Sequence, residues 1–278
     1  MKTEFSLAHL TVLGCAPPEM IYIASLCGYD YVSIRPIYMK LPNEPNYDLA
    51  HNKAMMKHTK EAMRRTGMRI HDIELAKIDD TIDVEDYKAA IETGAELGAK
   101  SLLSSIWTED KSMYIEKFHH LCELAKPYGM TVDLEFVTWA GVKNLKQAVE
   151  VLNSIDIDNK GLMIDTLHFN RSRVALEELD NLPPEWFNYV HLCDGPKEIP
   201  ETKEGLIHTG RDERLYCGEG EINIADIIRR IPRPVVYSLE LPHLKRVKEL
   251  GYTEHARRCL VTAKEYLEKH NLENFCLK

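Results

Sequence analysis

Four residues of metal-ligand type stand at the ends of short apolar runs: Glu135, Asp165, His191 and Glu240. Three carboxylates and an imidazole brought together carry three negative charges when the carboxylates are ionised. Such a cluster repels itself unless a cation sits in it or protons stay bound. Oxygen-rich ligation with one nitrogen suits a single divalent ion, Mn²⁺ first and then Mg²⁺, Co²⁺ or Zn²⁺, and excludes a soft Cu(I) site. Each residue also has a purely structural reading. Glu135 alone is a solvated loop residue, His191 a satisfied core histidine, and Asp165 a cap for the turn that leads to His168. Their coincidence at four successive strand ends favours the metal site.

The elements that must position these residues follow a recurring unit: an amphipathic helix, a glycine, then a β-rich run with a polar tip. Gly28, Gly67, Gly98 and Gly129 each close a helical pattern, as expected of the left-handed position after a helix. Arg35, Glu74 and Ser105 follow their glycines by seven residues and Glu135 by six, so the tips can share one rim. Strand-like runs cover 5–9, 29–35, 68–74, 99–105, 130–135, 161–165, 186–192 and 234–240. Helical patterns open at Pro17 and cover 49–65, 110–126, 225–230 and 253–268, with a short helix at 176–179. Asp83 is a candidate N-cap ahead of Tyr87, Ala90, Ile91 and Ala95, and Asn144 with Gln147 reads as a capping box. Eight alternating units imply a closed parallel (β/α)8 TIM barrel, one domain over residues 1–278. The stretch from Cys193 to Glu221 reads as a long irregular loop, of the kind that often forms a functional lid.

The bulk properties exclude several classes. A net charge of -9 argues against a nucleic-acid partner held through its phosphates. Seven cysteines, an odd number without a C-x-x-C pair, argue against a disulfide framework and a thiolate zinc site. With no apolar run of about 18 residues, a membrane span is not expected and a cytoplasmic location is.

The chain resembles a known family at this level of detail. Leu134-Glu-Phe136, Asp165-Thr-Leu-His168, Val190-His191 with Asp194 following, Arg214-Leu-Tyr-Cys-Gly-Glu-Gly220 and Ser238-Leu-Glu-Leu241 match the sugar isomerase/epimerase group of xylose isomerase-like TIM barrels. That group includes D-tagatose 3-epimerase, endonuclease IV and 2-keto-myo-inositol isomerase. Pro127-Tyr-Gly129 and the Arg-x-x-x-Gly-x-Gly turn are most similar to the last. The resemblance implies a carbohydrate-metabolism enzyme in which Glu135, Asp165, His191 and Glu240 bind the ion. Glu135 and Glu240 would also exchange a proton with a keto sugar or inosose through a metal-stabilised enediolate. It further implies that His168 and Arg214 meet substrate oxygens, that Asp194 orients His191, and that the protein forms a dimer or tetramer. His9, Arg35, Glu74, Trp107 and Trp139 are softer rim candidates, each equally readable as packing.

Alternatives remain at this stage. An inosose or 3-dehydroshikimate type dehydratase uses the same frame and begins with the same proton loss. A nuclease of the endonuclease IV kind needs additional histidines where this chain has Glu74, Ser105 and Arg211-Asp-Glu-Arg214. A non-catalytic sugar-binding protein would need no carboxylate on each side of its ligand. No basic cluster or Gly-rich turn marks a phosphate cradle, so an unphosphorylated polyol or keto sugar is expected.

Overall fold

The structure is a computed structural model that describes residues 2–42, 44–232 and 234–272; Cys276 lies outside the described residues. Its strands are β1 Phe5–Ala8, β2 Tyr31–Ile34, β3 Arg69–Ile78, β4 Ser101–Ile106, β5 Thr131–Glu135, β6 Lys160–Asp165, β7 Tyr189–Leu192 and β8 Val236–Leu239. They pair in sequence order, all parallel, and β8 returns to β1 to close the barrel. The α-helices are α1 Pro17–Cys27, α2 Lys53–Thr66, α3 Lys88–Glu96, α4 Lys111–Ala125, α5 Leu145–Asn153, α6 Thr166–Arg171, α7 Lys203–Asp212, α8 Ile224–Arg230 and α9 Leu244–Lys269. Gly28, Gly67, Gly98 and Gly129 all take positive φ, between 66 and 88°. Among the described residues no helix is long and apolar enough to cross a membrane.

Alternation along the strands explains how an apolar run can end in a ligand. Successive side chains of a strand face opposite sides. Val132, Leu134, Leu162, Ile164, Val190, Leu192 and Leu239 join the large core under the helices. The residues between them face the barrel axis. A middle layer of Leu75, Leu103, Met163 and Tyr189 forms its own small core there. Beneath it lies a polar floor, in which Ser33 joins Ser6, Asp72 and Ser238, and Asp133 accepts from Asn188 and Thr131. Two residues beyond Asp133, Met163, Tyr189 and Ser238, the same inward face delivers Glu135, Asp165, His191 and Glu240 to the C-terminal rim.

Several boundaries differ from the sequence reading. β3 runs on to Ile78, past Glu74, because its pairing with β4 shifts register between Ile73 and Ala76. Trp186 belongs to a 3₁₀ turn, so β7 begins only at Tyr189. Asn144 caps α5 by accepting from Gln147 N, while the Gln147 side chain reaches Lys143 N, one residue short of a full capping box. The stretch from Cys193 to Glu221 is not irregular throughout, since α7 lies within it, capped by Thr202.

Candidate metal centre

Glu135, Asp165, His191 and Glu240 are all buried, and one ligand atom from each lies within 4.8 Å of the others. Asp165 and His191 are register partners on β6 and β7, which sets them side by side. His191 Nδ1 is 3.4 Å from Glu240 Oε2, 3.8 Å from Glu135 Oε1 and 3.9 Å from Asp165 Oδ2. Neither ring nitrogen of His191 nor Glu135 Oε1 has a hydrogen-bond partner. Buried polar atoms without partners are costly and rare. A cation among these four residues would satisfy Glu135 Oε1 and Nδ1, the His191 nitrogen that faces the carboxylates, so the donor set fits a divalent ion.

Asp165 divides its two oxygens between two tasks. Oδ1 accepts from Leu167 N and His168 N at 2.7 and 3.0 Å, capping α6. Oδ2 turns to the cluster and accepts from Arg214 Nη1 at 2.5 Å. The capping and ligand readings of this residue therefore coexist.

Arg214 carries the cluster's fixed positive charge. Its Nη2 lies 2.8 Å from Glu240 Oε2, and Nε donates to Gly210 O at 2.7 Å. All three guanidinium nitrogens are thus taken up by protein. Arg214 also lines the cavity that opens on this cluster. Burial pushes the carboxyls of Asp165 and Glu240 upward. For Asp165 the Arg214 charge together with His168 and His191 outweighs this, and for Glu240 His191 and Arg214 together do, so both are held below the ordinary carboxylate range. For Glu135 the charges of His191, 3.8 Å away, and Arg214 also pull downward but are outweighed. Burial, then the charges of Glu240 and Asp165, hold it well above that range. Burial opposes the charge on His191, but the surrounding carboxylates, Glu240 foremost, raise it to about 10.

A cavity of about 50 Å³ opens on this centre, lined by Glu135, Glu240, His168, Arg214, Trp107 and Trp139 among others. His168 Nδ1 is met by Thr138 Oγ1 at 2.9 Å and by the Thr138 N–H at 3.5 Å. A backbone N–H can only donate, so Nδ1 accepts and the ring proton sits on Nε2. Burial holds this imidazole neutral, with its pKa lowered to about 4. Trp107 donates from Nε1 to Ser105 Oγ.

Three other candidates serve the frame. His9 Nε2 meets Cys15 O and its Nδ1 accepts from Arg35 N, both at 2.9 Å, which leaves neither nitrogen for a ligand. Glu74 binds His9 N and Arg35 Nη2 and does not line the cavity. Asp194 does not bond His191. Its oxygens accept from the N–H groups of Gly195, Gly218, Gly220 and Ile222, which folds the Arg-x-x-x-Gly-x-Gly turn around one carboxylate. A Cβ on Gly220 would overlap Gly195 O and Asp194 Oδ1, so this turn requires glycine there. Asp194→Ala would strand these donors. It is expected to lower unfolding stability by roughly 3 kcal/mol, read as a fall in the urea midpoint.

Sequence reasoning missed Thr138 and Arg211. Thr138 lies in a loop and carries no signal of its own. Arg211 lines the cavity from the end of α7, and its nearness in sequence to Arg214 was the available clue.

The family described as xylose isomerase-like TIM barrel matches residues 21–263. An inosose isomerase of Bacillus licheniformis is 26% identical over 182 residues, covering 62% of this chain and 57% of that protein. The matched region thus spans little more than half the length of that relative. An inosose isomerase of Halalkalibacterium halodurans is 24% identical over 215 residues, 72% of this chain and 73% of that protein. A solved structure of the IOLI protein with a zinc atom superposes with a TM-score of 0.80 at 20% identity, over 97% of this chain and 99% of the other, a likeness of fold.

Proposed function

We propose, on the premise that the chain belongs to the xylose isomerase-like TIM barrel family, that it isomerises or epimerises a keto sugar or inosose by moving a proton beside the carbonyl. The inosose isomerase relatives support this substrate class. The observation that carries the reading is that Glu135 and Glu240, from β5 and β8, line one small cavity together with a neutral histidine.

Glu135, Asp165, His191 and Glu240 would hold one divalent ion, which supplies positive charge against the oxyanion formed when the neighbouring carbon loses its proton. One of the two glutamates takes that proton. The other returns one at the opposite face or at the next carbon. His168, its tautomer set by Thr138, donates from Nε2 to a substrate oxygen. Arg214 keeps Asp165 and Glu240 ionised and in place, so no reorganisation is needed as charge develops. Trp107 and Trp139 offer flat apolar faces to the C–H side of the ring. The cavity of about 50 Å³ is far below the ~300 Å³ of an ordinary ligand pocket, so the residues that line it would have to give way to admit substrate.

Incubation of the metal-loaded protein with inososes and ketoses in D₂O tests the assignment. Deuterium is expected to enter the substrate with no change other than the isotopic mass. A product lighter by one water would make the enzyme a dehydratase. No exchange into any ketone would overturn the reading.

A further inference from the structure

The guanidinium groups around the cavity are not equivalent. Arg214 is answered by Asp165 and Glu240. Arg35 is answered by Glu74 at 2.6 Å and Glu44 at 3.7 Å. Among the described residues Arg211 makes no hydrogen bond and no ion pair within 4.0 Å, and the charges of Asp212 and Glu44 act on it only from a distance. Its contacts are with two aromatic faces, its guanidinium carbon lying 5.9 Å from the ring centroids of both Trp107 and Trp139.

Its position is built. α7 packs Leu206 and Ile207 against Val137, Trp139 and Ala140. Gly210 lies so close to the Trp139 ring that a Cβ there would overlap it. The Gly210 carbonyl is tied to Arg214 Nε. The helix end is thereby pressed onto the cavity roof, and the next residue along the chain is Arg211. Arg211 also borders a groove of about 250 Å³ that shares Leu10 and Leu41 with the cavity, so it stands where the metal centre meets solvent. Half-buried and beside the Arg35 charge, the group is held at a cost that an arriving anion would relieve. A planar guanidinium with free donors matches a carboxylate in two parallel hydrogen bonds.

We propose that Arg211 makes this site select ketones bearing a carboxylate at the end of the molecule away from the reacting carbonyl. The preferred substrate is then a polyhydroxy keto acid rather than a neutral inosose, an inference that rests on the reaction class proposed above. Arg211 binds the carboxylate across the cavity mouth, while the metal centre faces the carbonyl.

The test uses the metal-loaded full chain and two probes of nearly equal shape, gluconate and glucitol, with tryptophan fluorescence as the readout. Gluconate is expected to bind about tenfold or more tightly than glucitol, the value of one charge-assisted pair. Arg211→Met should bring the two probes to within about twofold of each other, and Arg211→Lys should keep part of the difference, because a point charge remains without the planar fork. Equal binding of both probes to the unaltered protein would overturn the proposal. So would a preference that survives in Arg211→Met, which would place the carboxylate on the cation instead. Should Arg211→Met not fold, Arg211→Gln with a native circular dichroism spectrum carries the same comparison. Because the readout is binding, failure here is distinct from failure of the reaction class, which would appear as no deuterium uptake from D₂O by any ketone.

Discussion

Glu240→Gln is expected to lower substrate deuterium exchange by about 10³-fold or more, and Glu135→Gln to do so by a similar factor, the range for a positioned acid–base group. Glutamine keeps the length and planarity of the side chain and removes its basicity. The two variants should differ in stability. Burial and the charges of Glu240 and Asp165 raise the folded pKa of Glu135, whereas the unfolded chain ionises near 4.5. An acid whose folded pKa is raised weakens folding as pH climbs above the unfolded value. The metal-free Glu135→Gln protein should therefore melt at a higher temperature at neutral pH than the metal-free wild type. Glu240 has the opposite sign: its carboxylate is stabilised by His191 and Arg214, and its removal should lower the melting temperature. Loss of activity with these opposed shifts would separate a proton-transfer role from simple misfolding. Exchange within tenfold of wild type in either variant would remove that glutamate from the reaction.

The second large effect is that of the ion itself. Chelation with EDTA is expected to abolish activity. Readdition of Mn²⁺ should restore it and raise the melting temperature, by about 2.7 kcal/mol of stability at an ion concentration 100 times the dissociation constant. Uptake should also release protons. In the metal-free cluster the surrounding carboxylates hold His191 charged up to a pH of about 10, whereas a ligating imidazole must be neutral. At pH 7 at least one proton must leave, so the apparent affinity rises with pH towards 10. The same group sets a pH dependence without metal. Its folded pKa lies above the ordinary 6.5, so its contribution to stability is complete below 6.5 and is lost as pH rises through about 10. Calorimetric titrations in buffers of different ionisation enthalpy count the protons. Uptake with no proton release, or no uptake at all, would refute the four-residue site.

The barrel and the four clustered residues were legible because the strands that carry them alternate. One face must be apolar to meet the helices, so a ligand-type residue on the other face stands out at the strand's end, as Asp165 does after Leu162 and Ile164. What was not legible depended on partners distant in sequence. Nothing local tells that both nitrogens of His9 are taken by the backbone of Cys15 and Arg35. Nothing local tells that Asp194 gathers N–H groups from a turn more than twenty residues away. The helix α7 escaped notice for a different reason. It covers a small cavity rather than the main core, so Leu206 and Ile207 supply only a narrow apolar patch against Trp139 and its neighbours, and the periodic signal is short.

Arg214 joins parts that are otherwise separate: the end of α7 through Gly210 O, β6 through Asp165, and β8 through Glu240. An ion bound among these residues would draw on the same carboxylate oxygens as this guanidinium, which in turn holds the roof. Ion occupancy and roof position are therefore linked equilibria, and linkage is reciprocal. By whatever factor the loaded centre favours the lowered roof, the lowered roof tightens the hold on the ion. A ligand that moves α7 would therefore change the rate at which a chelator removes a bound ion without touching that ion at all.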